Sequence, residues 1–348
     1  MTTEFSFPQN IFLISLLAIV CSLILTPFSI YLTRRMGLID KPGRFTHKIH
    51  SVPTPLAGGT ALILCLILLS SLLGRWEDKF TRALVIAAAI VYFFGLLDDI
   101  RGLSALPKLT GQILASMVLI VSNVSVHFVA SLSLPFLSPG LVAWLDIALT
   151  CFWLIGVTNA MNMIDSMDGI ALGLSGIALL FFILVTSLSG QGYLTEISII
   201  LLGITVGIYF FNVTPARLFL GDSGSQTYGF LIAAIAMEYV PGGFLPISSW
   251  FVPILLVGMP IFDTSLVVYS RVRKRVPVYQ ANLDHTYHRL VALGLDERRA
   301  VLTIHISEVL LSLVAFVTFY LPPIIANVIF ATILIAGIAM ITFLDRHA

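Results

Sequence analysis

Long runs of apolar residues alternate with short polar segments along the whole chain. A helix that crosses a bilayer needs about 20 mainly apolar residues, and fewer when neighbouring helices surround it. Eleven runs meet this requirement, at residues 11–31, 60–74, 82–97, 110–128, 141–158, 169–189, 195–211, 225–240, 250–270, 302–320 and 322–343. The pattern therefore predicts an all-α, polytopic membrane protein with about 11 transmembrane helices.

The composition excludes an ordinary soluble protein. Of the 348 residues, 58% are hydrophobic and only 11% are charged. A soluble domain cannot bury that much apolar surface, so the bilayer must act as the solvent for most of the chain. The longest polar stretches, 34–59 and 271–300, are too short for a separate soluble domain. We expect one integral-membrane domain over residues 1–348, with its chemistry in the loops between helices.

The positive charges predict the orientation. No Lys or Arg precedes the first apolar run, so it is interpreted as a retained helix with the N-terminus outside. Eleven spans then leave only Arg75, Lys79 and Arg82 on the outer side, and the other sixteen of the nineteen Lys and Arg residues on the inner side. The positive-inside rule thus predicts a cytoplasmic C-terminus and a multi-pass protein of the inner (plasma) membrane.

Acidic residues collect in the same predicted inner loops. Ionisable groups at membrane depth are costly and indicate a functional site. The segment NAMNMIDSMDGI (159–170) repeats an amide or carboxylate at every third position, which on a helix places these side chains on one broad face. The polar positions of the three acidic loops are Asp98 and Asp99, then Asn159, Asn162, Asp165 and Asp168, and finally Asp222.

The segment GDSGS (221–225) has two interpretations. Backbone amides between glycines at a helix start can hold a phosphate, and the carboxylate of Asp222 can hold Mg²⁺. The same five residues also suit an ordinary helix cap. Lys108 lies four residues before Gln112, hence on the same helical face. It can neutralise a phosphate or pair with an aspartate.

Two histidine pairs share a three-residue spacing, His47 with His50 and His285 with His288. No cysteine accompanies either pair, which disfavours a zinc site. The neighbouring Lys48 and Arg289 favour contact with an anion or a nucleotide. Together with the aspartates, these loops indicate Mg²⁺-dependent chemistry on a phosphorylated substrate at the cytoplasmic face, with a second substrate that arrives through the lipid.

Five motifs in order then resemble the polyprenyl-phosphate N-acetylhexosamine-1-phosphate transferases, and the resemblance covers nearly the whole chain. The motifs are DKPGRFTHKIHSVPTPLAGG (40–59), GLLDDIRGLSALPKLTGQ (95–112), NAMNMIDSMDGI (159–170), FLGDSGSQTYG (219–229) and DHTYHRLVALGL (284–295). The resemblance implies transfer of an N-acetylhexosamine-1-phosphate, with N-acetylglucosamine as the favoured sugar, from a UDP-N-acetylhexosamine to polyprenyl (undecaprenyl) phosphate with release of UMP. This is the first membrane step in the synthesis of cell-envelope glycans such as O-antigen and teichoic acid.

The resemblance also implies roles for individual residues. Asp98, Asp99 and Asp168 are expected to be catalytic, and one of the adjacent pair removes the proton from the lipid phosphate. Asp222 and Asp99 are expected to hold Mg²⁺, with Mn²⁺ as the open alternative. Nucleotide-sugar contacts are expected from Lys48, His50, Asn162, Asp165, His285, His288 and Arg289. Phosphate contacts are expected from Lys108, Gly221, Ser223 and Gly224.

The sequence departs from the family pattern at two positions. Tyr287 stands where the family usually has the middle histidine of its last motif, and Ser166 stands where it usually has glycine. A tyrosine donates a hydrogen bond but is never cationic. We therefore expect altered substrate contacts rather than lost activity.

Alternatives to this function stay open at the sequence level. Within the same class of enzyme, the alternative is phospho-N-acetylmuramoyl-pentapeptide transfer in peptidoglycan synthesis. In another class, a secondary transporter also places acids in a membrane, although carrier sites lie near the midplane between repeated halves. The expected partners are the nucleotide sugar, polyprenyl phosphate and the bilayer, with a homodimer left open and no nucleic acid.

Overall fold

The computed structural model describes residues 10–41, 52–132, 135–241, 250–277 and 284–347. Over these residues the fold is built of α-helices, with one short antiparallel hairpin of β1 (Ile39–Asp40) and β2 (Thr54–Pro55). The helices are α1 (Ile11–Arg35), α2 (Gly58–Leu72), α3 (Lys79–Arg101), α4 (Ala105–Val121), α5 (Phe128–Ser131), α6 (Pro139–Ile164), α7 (Ile170–Leu188), α8 (Gly192–Asn212), α9 (Gly221–Glu238), α10 (Val252–Leu255), α11 (Gly258–Lys274), α12 (Thr286–Ala292), α13 (Glu297–Thr318) and α14 (Pro323–His347). The predicted all-α class is confirmed.

Each of the eleven apolar runs overlaps one of the longer helices. Within the described ranges, seven helices are long and apolar enough to cross a membrane: α1, α3, α6, α7, α8, α13 and α14. The apolar helices α2 and α4 are shorter, with 15 and 17 residues. Eleven crossings and the direction of the termini therefore stay predictions.

The ninth apolar run is not one helix. It divides into the single turn α10 and the longer α11, which begins at Gly258. Pro260 lies in the first turn of α11, where a missing amide is tolerated, so it does not kink a continuous helix. The carboxylate of Glu308 in α13 accepts the amide of Met259 at 2.8 Å, and this bond satisfies a free donor at the start of α11.

Helix α9 lies at the centre of the bundle. It packs against α2, α3, α6 and α7, and nearly all of its residues are buried. The apolar stretches of α7 and α8 are also mostly buried, whereas only 11% of the residues in the apolar stretch of α14 are buried in the protein. Large apolar side chains such as Phe152, Trp144 and Ile324 are exposed on the outer helices. This distribution suits a bundle that is surrounded by lipid.

Close packing holds the start of α9 in place. A methyl group on Gly95 of α3 would lie 2.5 Å from the Cα atom of Ser223, and one on Gly59 of α2 would lie 2.6 Å from the backbone nitrogen of Gly224. The turn into the helix has a positive φ of 70° at Gly221, which also favours glycine. The Phe219 amide donates to the Pro55 carbonyl at 2.9 Å, so the β1–β2 hairpin supports the same turn.

We predict that Gly95→Ala destabilises the protein by about 1–3 kcal/mol, because the added methyl group displaces α9 from α3. Gly156→Ala is the matched control: Gly156 is also helical, and an added Cβ there meets nothing within 4 Å. This control should unfold at the wild-type temperature or slightly above it, since alanine favours a helix by about 1 kcal/mol over glycine. Thermal unfolding in detergent measures both. Equal melting temperatures for the two variants would contradict the packing argument.

Candidate active site

The structure brings the predicted aspartates together at one end of the bundle. They lie at the end of α3, after the end of α6 and at the start of α9, beside the first turn of α4. Lys108 in α4 forms ion pairs with two of these carboxylates. Its Nζ atom lies 2.7 Å from Oδ2 of Asp222 and also contacts Oδ2 of Asp98. The sequence left open whether Lys108 pairs with aspartate or phosphate, and in this arrangement it pairs with two aspartates.

Adjacent Asp98 and Asp99 point to different partners. Oδ1 of Asp98 accepts the amide of Leu103 at 2.5 Å, and its Oδ2 faces Lys108. Oδ1 of Asp99 accepts the amide of Asp222 at 2.8 Å, and Oδ2 accepts that of Ser223 at 3.1 Å. Asp99 therefore caps the start of α9 from another helix, where free amides favour an anion.

A layer of side-chain amides underlies the carboxylates. Nδ2 of Asn162 donates to Oδ1 of Asp222 at 3.1 Å and to Oγ of Ser225 at 2.8 Å. One helical turn deeper, Gln112 and Asn159 exchange hydrogen bonds of 3.2 and 2.8 Å. These bonds join α4, α6 and α9, so the position of Asp222 is fixed from three helices.

Asp165 and Asp168 follow the end of α6 and are both partly exposed. Oδ2 of Asp168 accepts the amide of Ala216 at 3.3 Å. Shielding by the surrounding protein and, to a smaller extent, the negative charges of Asp222, Asp168 and Asp99 together raise the pKa of Asp165 to about 8. Several carboxylates thus lie close together, so that the negative charge of each disfavours ionisation of the others. Such a cluster is typical of a functional site.

The donor chemistry of this cluster fits Mg²⁺. Among the described residues, no three carboxylates, imidazoles or thiolates converge as a ready metal cage. Magnesium is usually held by one or two carboxylates together with water and substrate phosphates, so a complete cage is not required. Mutual repulsion around Asp165 is what a bound cation would relieve. Asp222 and the Asp165–Asp168 loop are the side chains that would hold it, while Asp99 is already engaged by backbone amides.

The histidine motif forms the short helix α12. Nδ1 of His285 lies 2.8 Å from Oδ2 of the buried Asp263 in α11. The rings of His285 and His288 are 6.4 Å apart, and the ring of Tyr287 lies 5.1 Å from that of His288. Burial raises the pKa of Tyr287 to about 12, with contributions from Glu297 and Asp168. The influence of Asp168 links the motif to the carboxylate cluster.

Arg289, a predicted nucleotide contact, lies inside the protein in this structure. Only 4% of this residue is exposed. Its guanidinium donates to the carbonyls of Asp284 and Leu344, both at 2.9 Å, and to Oγ of Ser270 at 2.8 Å. Its nucleotide contact stays a prediction that requires these bonds to break. Arg289 anchors α12 to α11 and α14.

The phosphate and nucleotide contacts predicted for the remaining site residues stay predictions. Lys48 and His50 lie outside the described residues. Ser223 and Gly224 are buried between α2 and α3, and the amide of Ser223 binds Asp99. Their phosphate contacts, and that of Gly221, stay predictions that require the Asp99 carboxylate to move away.

Sequence reasoning did not assign a role to several polar residues at the site. Asn212 is buried at the end of α8, where Oδ1 accepts the Gly169 amide and Nδ2 donates to the Leu218 carbonyl, both at 3.0 Å. It joins the loops that carry Asp168 and Asp222. In the sequence, Asn212 stands out only as a single amide side chain at the end of an apolar run. Asp263 is a lone acid inside an apolar run, and nothing in its sequence neighbourhood points to His285.

Comparison with known proteins identifies the family. The model of "Glycosyl transferase family 4" matches residues 81–240. A probable undecaprenyl-phosphate N-acetylglucosaminyl 1-phosphate transferase of Bacillus subtilis is 31% identical over 307 residues, covering 88% of this chain and 83% of that protein. The chain belongs to glycosyl transferase family 4.

Further relatives belong to two kinds of enzyme. Decaprenyl-phosphate N-acetylglucosaminephosphotransferase of Mycobacterium tuberculosis is 29% identical, covering 91% of this chain and 84% of that protein. Phospho-N-acetylmuramoyl-pentapeptide-transferase of Lacticaseibacillus paracasei is 28% identical, but covers 53% of this chain and 61% of that protein. The part matched by the family model contains the whole aspartate cluster, while the histidine motif lies beyond it.

We predict that Asp165→Asn stabilises the protein increasingly as the pH rises. The pKa of Asp165 is raised in the folded state, so the folded protein holds a proton that the unfolded chain loses first. Wild-type stability therefore declines from above the unfolded pKa of about 4 up to the folded pKa, and the amide escapes this loss. Melting temperatures at about pH 5 and about pH 9 test this. A difference between variant and wild type that stays constant with pH would contradict it.

Proposed function

We propose that this protein transfers N-acetylglucosamine-1-phosphate from UDP-N-acetylglucosamine to polyprenyl phosphate and releases UMP. The main support is the convergence of Asp98, Asp222 and Lys108, with Asp165 beside them, at one end of an apolar bundle. Charged groups of both signs at this position suit a reaction between two phosphates. The two relatives that match most of the chain are named as N-acetylglucosamine-phosphate transferases, which supports the N-acetylglucosamine donor over the muramoyl-pentapeptide donor.

The proposed reaction is a displacement at phosphorus. An oxygen of the polyprenyl phosphate attacks the β-phosphorus of the UDP-sugar, and the bond from that phosphorus to the bridging oxygen breaks. UMP takes the bridging oxygen, and the products are UMP and a polyprenyl diphosphate that carries the sugar. Lys108 is mobile enough to leave one aspartate for an incoming phosphate, because a lysine is a flexible point charge.

We assign the general base to Asp98. Both oxygens of Asp99 are bound to the amides of Asp222 and Ser223, so using Asp99 as a base would remove the cap of α9. Asp98 shares one oxygen with Lys108, and that oxygen becomes available when Lys108 turns to the substrate phosphate. A covalent aspartyl-phosphate on the same pair is the alternative mechanism.

Asp222 is proposed to hold Mg²⁺ together with the Asp165–Asp168 loop. A bound Mg²⁺ supplies Lewis-acid stabilisation to the diphosphate, worth several kcal/mol. Asn162 orients the Asp222 carboxylate through its 3.1 Å hydrogen bond.

We also propose where the reaction takes place. The protein lies in the plasma membrane with eleven crossings, its N-terminus is outside, and the site faces the cytoplasm, where UDP-sugars are made. The basic last turn of α11, with Arg271, Arg273 and Lys274, supports the cytoplasmic assignment of that end. The product is then the first lipid-linked intermediate of an envelope glycan. A homodimer remains a prediction from the sequence.

The decisive experiment measures UMP release by the purified full-length protein. We expect release from UDP-N-acetylglucosamine only when both polyprenyl phosphate and Mg²⁺ are present, and loss of release when a chelator is added. Asp222→Asn should lower turnover about 100-fold or more, which corresponds to roughly 3 kcal/mol. Mg²⁺ should also raise the melting temperature of the wild type but not that of Asp222→Asn.

Three outcomes would overturn parts of this proposal. Release without lipid indicates hydrolysis rather than transfer. Release only from the UDP-muramoyl-pentapeptide assigns the chain to the alternative donor. Near-normal turnover in Asp222→Asn removes that residue from the metal site.

Identical substitutions at the adjacent aspartates should separate their roles. Asp99→Asn replaces one acceptor of a buried backbone amide with a donor, so we expect a loss of stability of about 1–3 kcal/mol together with lost activity. Asp98→Asn retains an acceptor for the Leu103 amide, and Lys108 retains Asp222, so we expect lost turnover with a smaller loss of stability. Turnover and thermal unfolding of both variants test this. An active Asp98→Asn enzyme would falsify the assignment of the base.

A further inference from the structure

A buried carboxylate lies directly behind the histidine motif. Asp263 in α11 is fully buried. Its Oδ2 atom lies 2.8 Å from Nδ1 of His285, and its Oδ1 atom accepts the amide of Thr286 at 2.6 Å. One carboxylate therefore contacts both the ring of His285 and the first amide of α12.

The bond to the ring has a chemical consequence. An ionised carboxylate only accepts hydrogen bonds, so the Nδ1 atom of His285 must carry the proton in this pair. The ring nitrogen that remains for a substrate is then Nε2. A partner on one nitrogen selects the tautomer and the orientation of a histidine, as carboxylates do behind metal-bound histidines.

Capping alone does not explain this arrangement. The amide of Thr286 needs a single acceptor, which a neutral amide side chain also supplies. The second oxygen of Asp263, Oδ2, faces the imidazole ring of His285 rather than a backbone amide. Moreover, α12 has an independent anchor in Arg289, which binds the Leu344 carbonyl and Ser270.

We propose that Asp263 is a positioning residue for His285 in the transfer reaction. Its carboxylate keeps the proton on Nδ1 and holds the ring so that Nε2 faces the diphosphate of the nucleotide sugar. This inference rests on the proposed function for the identity of the substrate. The bond between Asp263 and His285, however, can be tested without it.

The informative variant is Asp263→Asn. The asparagine oxygen can still accept the amide of Thr286, so the start of α12 is preserved. Its NH₂ group cannot accept from Nδ1 of His285, and therefore the ring changes tautomer or turns. We expect a fall in kcat of about 10- to 100-fold, the range typical of losing a carboxylate behind a functional histidine, with a much smaller change in KM.

Glu308→Gln is the matched control. Glu308 is also a fully buried carboxylate, and it also binds the start of a helix, where it accepts the amide of Met259 in the first turn of α11. The structure shows no contact between it and the histidine motif among the described residues. We expect near-normal kcat in this variant, even if its melting temperature falls.

A double-mutant cycle separates positioning from support of the backbone. If Asp263 acts through the ring, then Asp263→Asn should lower kcat no further once His285→Ala is present. If it acts through the backbone of α12, the same fold-loss should appear in both backgrounds, and this result would overturn the proposal. Wild-type kcat in Asp263→Asn would overturn it as well.

Nitrogen NMR of ¹⁵N-histidine-labelled protein reads the ring directly. The His285 signal, assigned by its absence in His285→Ala, should show the Nδ1-protonated form in the wild type and lose it in Asp263→Asn. An Nε2-protonated neutral ring in the wild type would contradict the inference whatever the substrate. Absence of UMP release from the wild type, by contrast, counts against the proposed function alone.

Discussion

The start of α9 packs closely against α2 and α3, and its free backbone amides need acceptors there. An unpaired amide that is shielded from water costs several kcal/mol. The carboxylate of Asp99 meets this requirement with two hydrogen bonds. The approach is possible because Gly59 and Gly95 leave no side chain between α9 and its neighbours. Asp222, the second residue of α9, is thereby fixed beside Asp98, Lys108 and Asn162.

The same geometry collects several carboxylates at one end of the bundle. Lys108 is shared by Asp98 and Asp222, so that one positive charge faces two carboxylates, with Asp165 and Asp168 near them. Burial raises the pKa of Asp165, and the negative charges of Asp222, Asp168 and Asp99 contribute to the same shift. A site arranged for folding stability would carry an amide at that position. The carboxylate is therefore best explained by a cation or a proton that arrives with the substrates.

Much of this fold can be predicted from the sequence, because the apolar runs are long and the bilayer allows few backbone structures. The gathering of Asp98, Asp165 and Asp222 was also predictable, since each ends or begins a run on the same predicted side. What could not be predicted are the contacts between helices that are distant in sequence. Arg289 resembles a nucleotide ligand because it follows two histidines, yet its partners are Ser270 and the carbonyl of Leu344. The divided ninth run similarly depends on Glu308, which is 49 residues from its partner Met259.

The two buried carboxylates around α11 each stabilise the start of a helix. Glu308 of α13 binds the first turn of α11, and Asp263, one helical turn further along, binds the first residues of α12. Each bond satisfies free amides at a helix start, so both are required by the backbone rather than by the side chains alone. Asp263 additionally binds the ring of His285, whereas the bond of Glu308 serves the backbone of α11. Since a displacement of about 1 Å at a reacting group can cost 100-fold in rate, a bond that fixes the ring has catalytic value. The start of α11 is stabilised separately, because Glu308 accepts an amide that a helix continuous with α10 would bind internally.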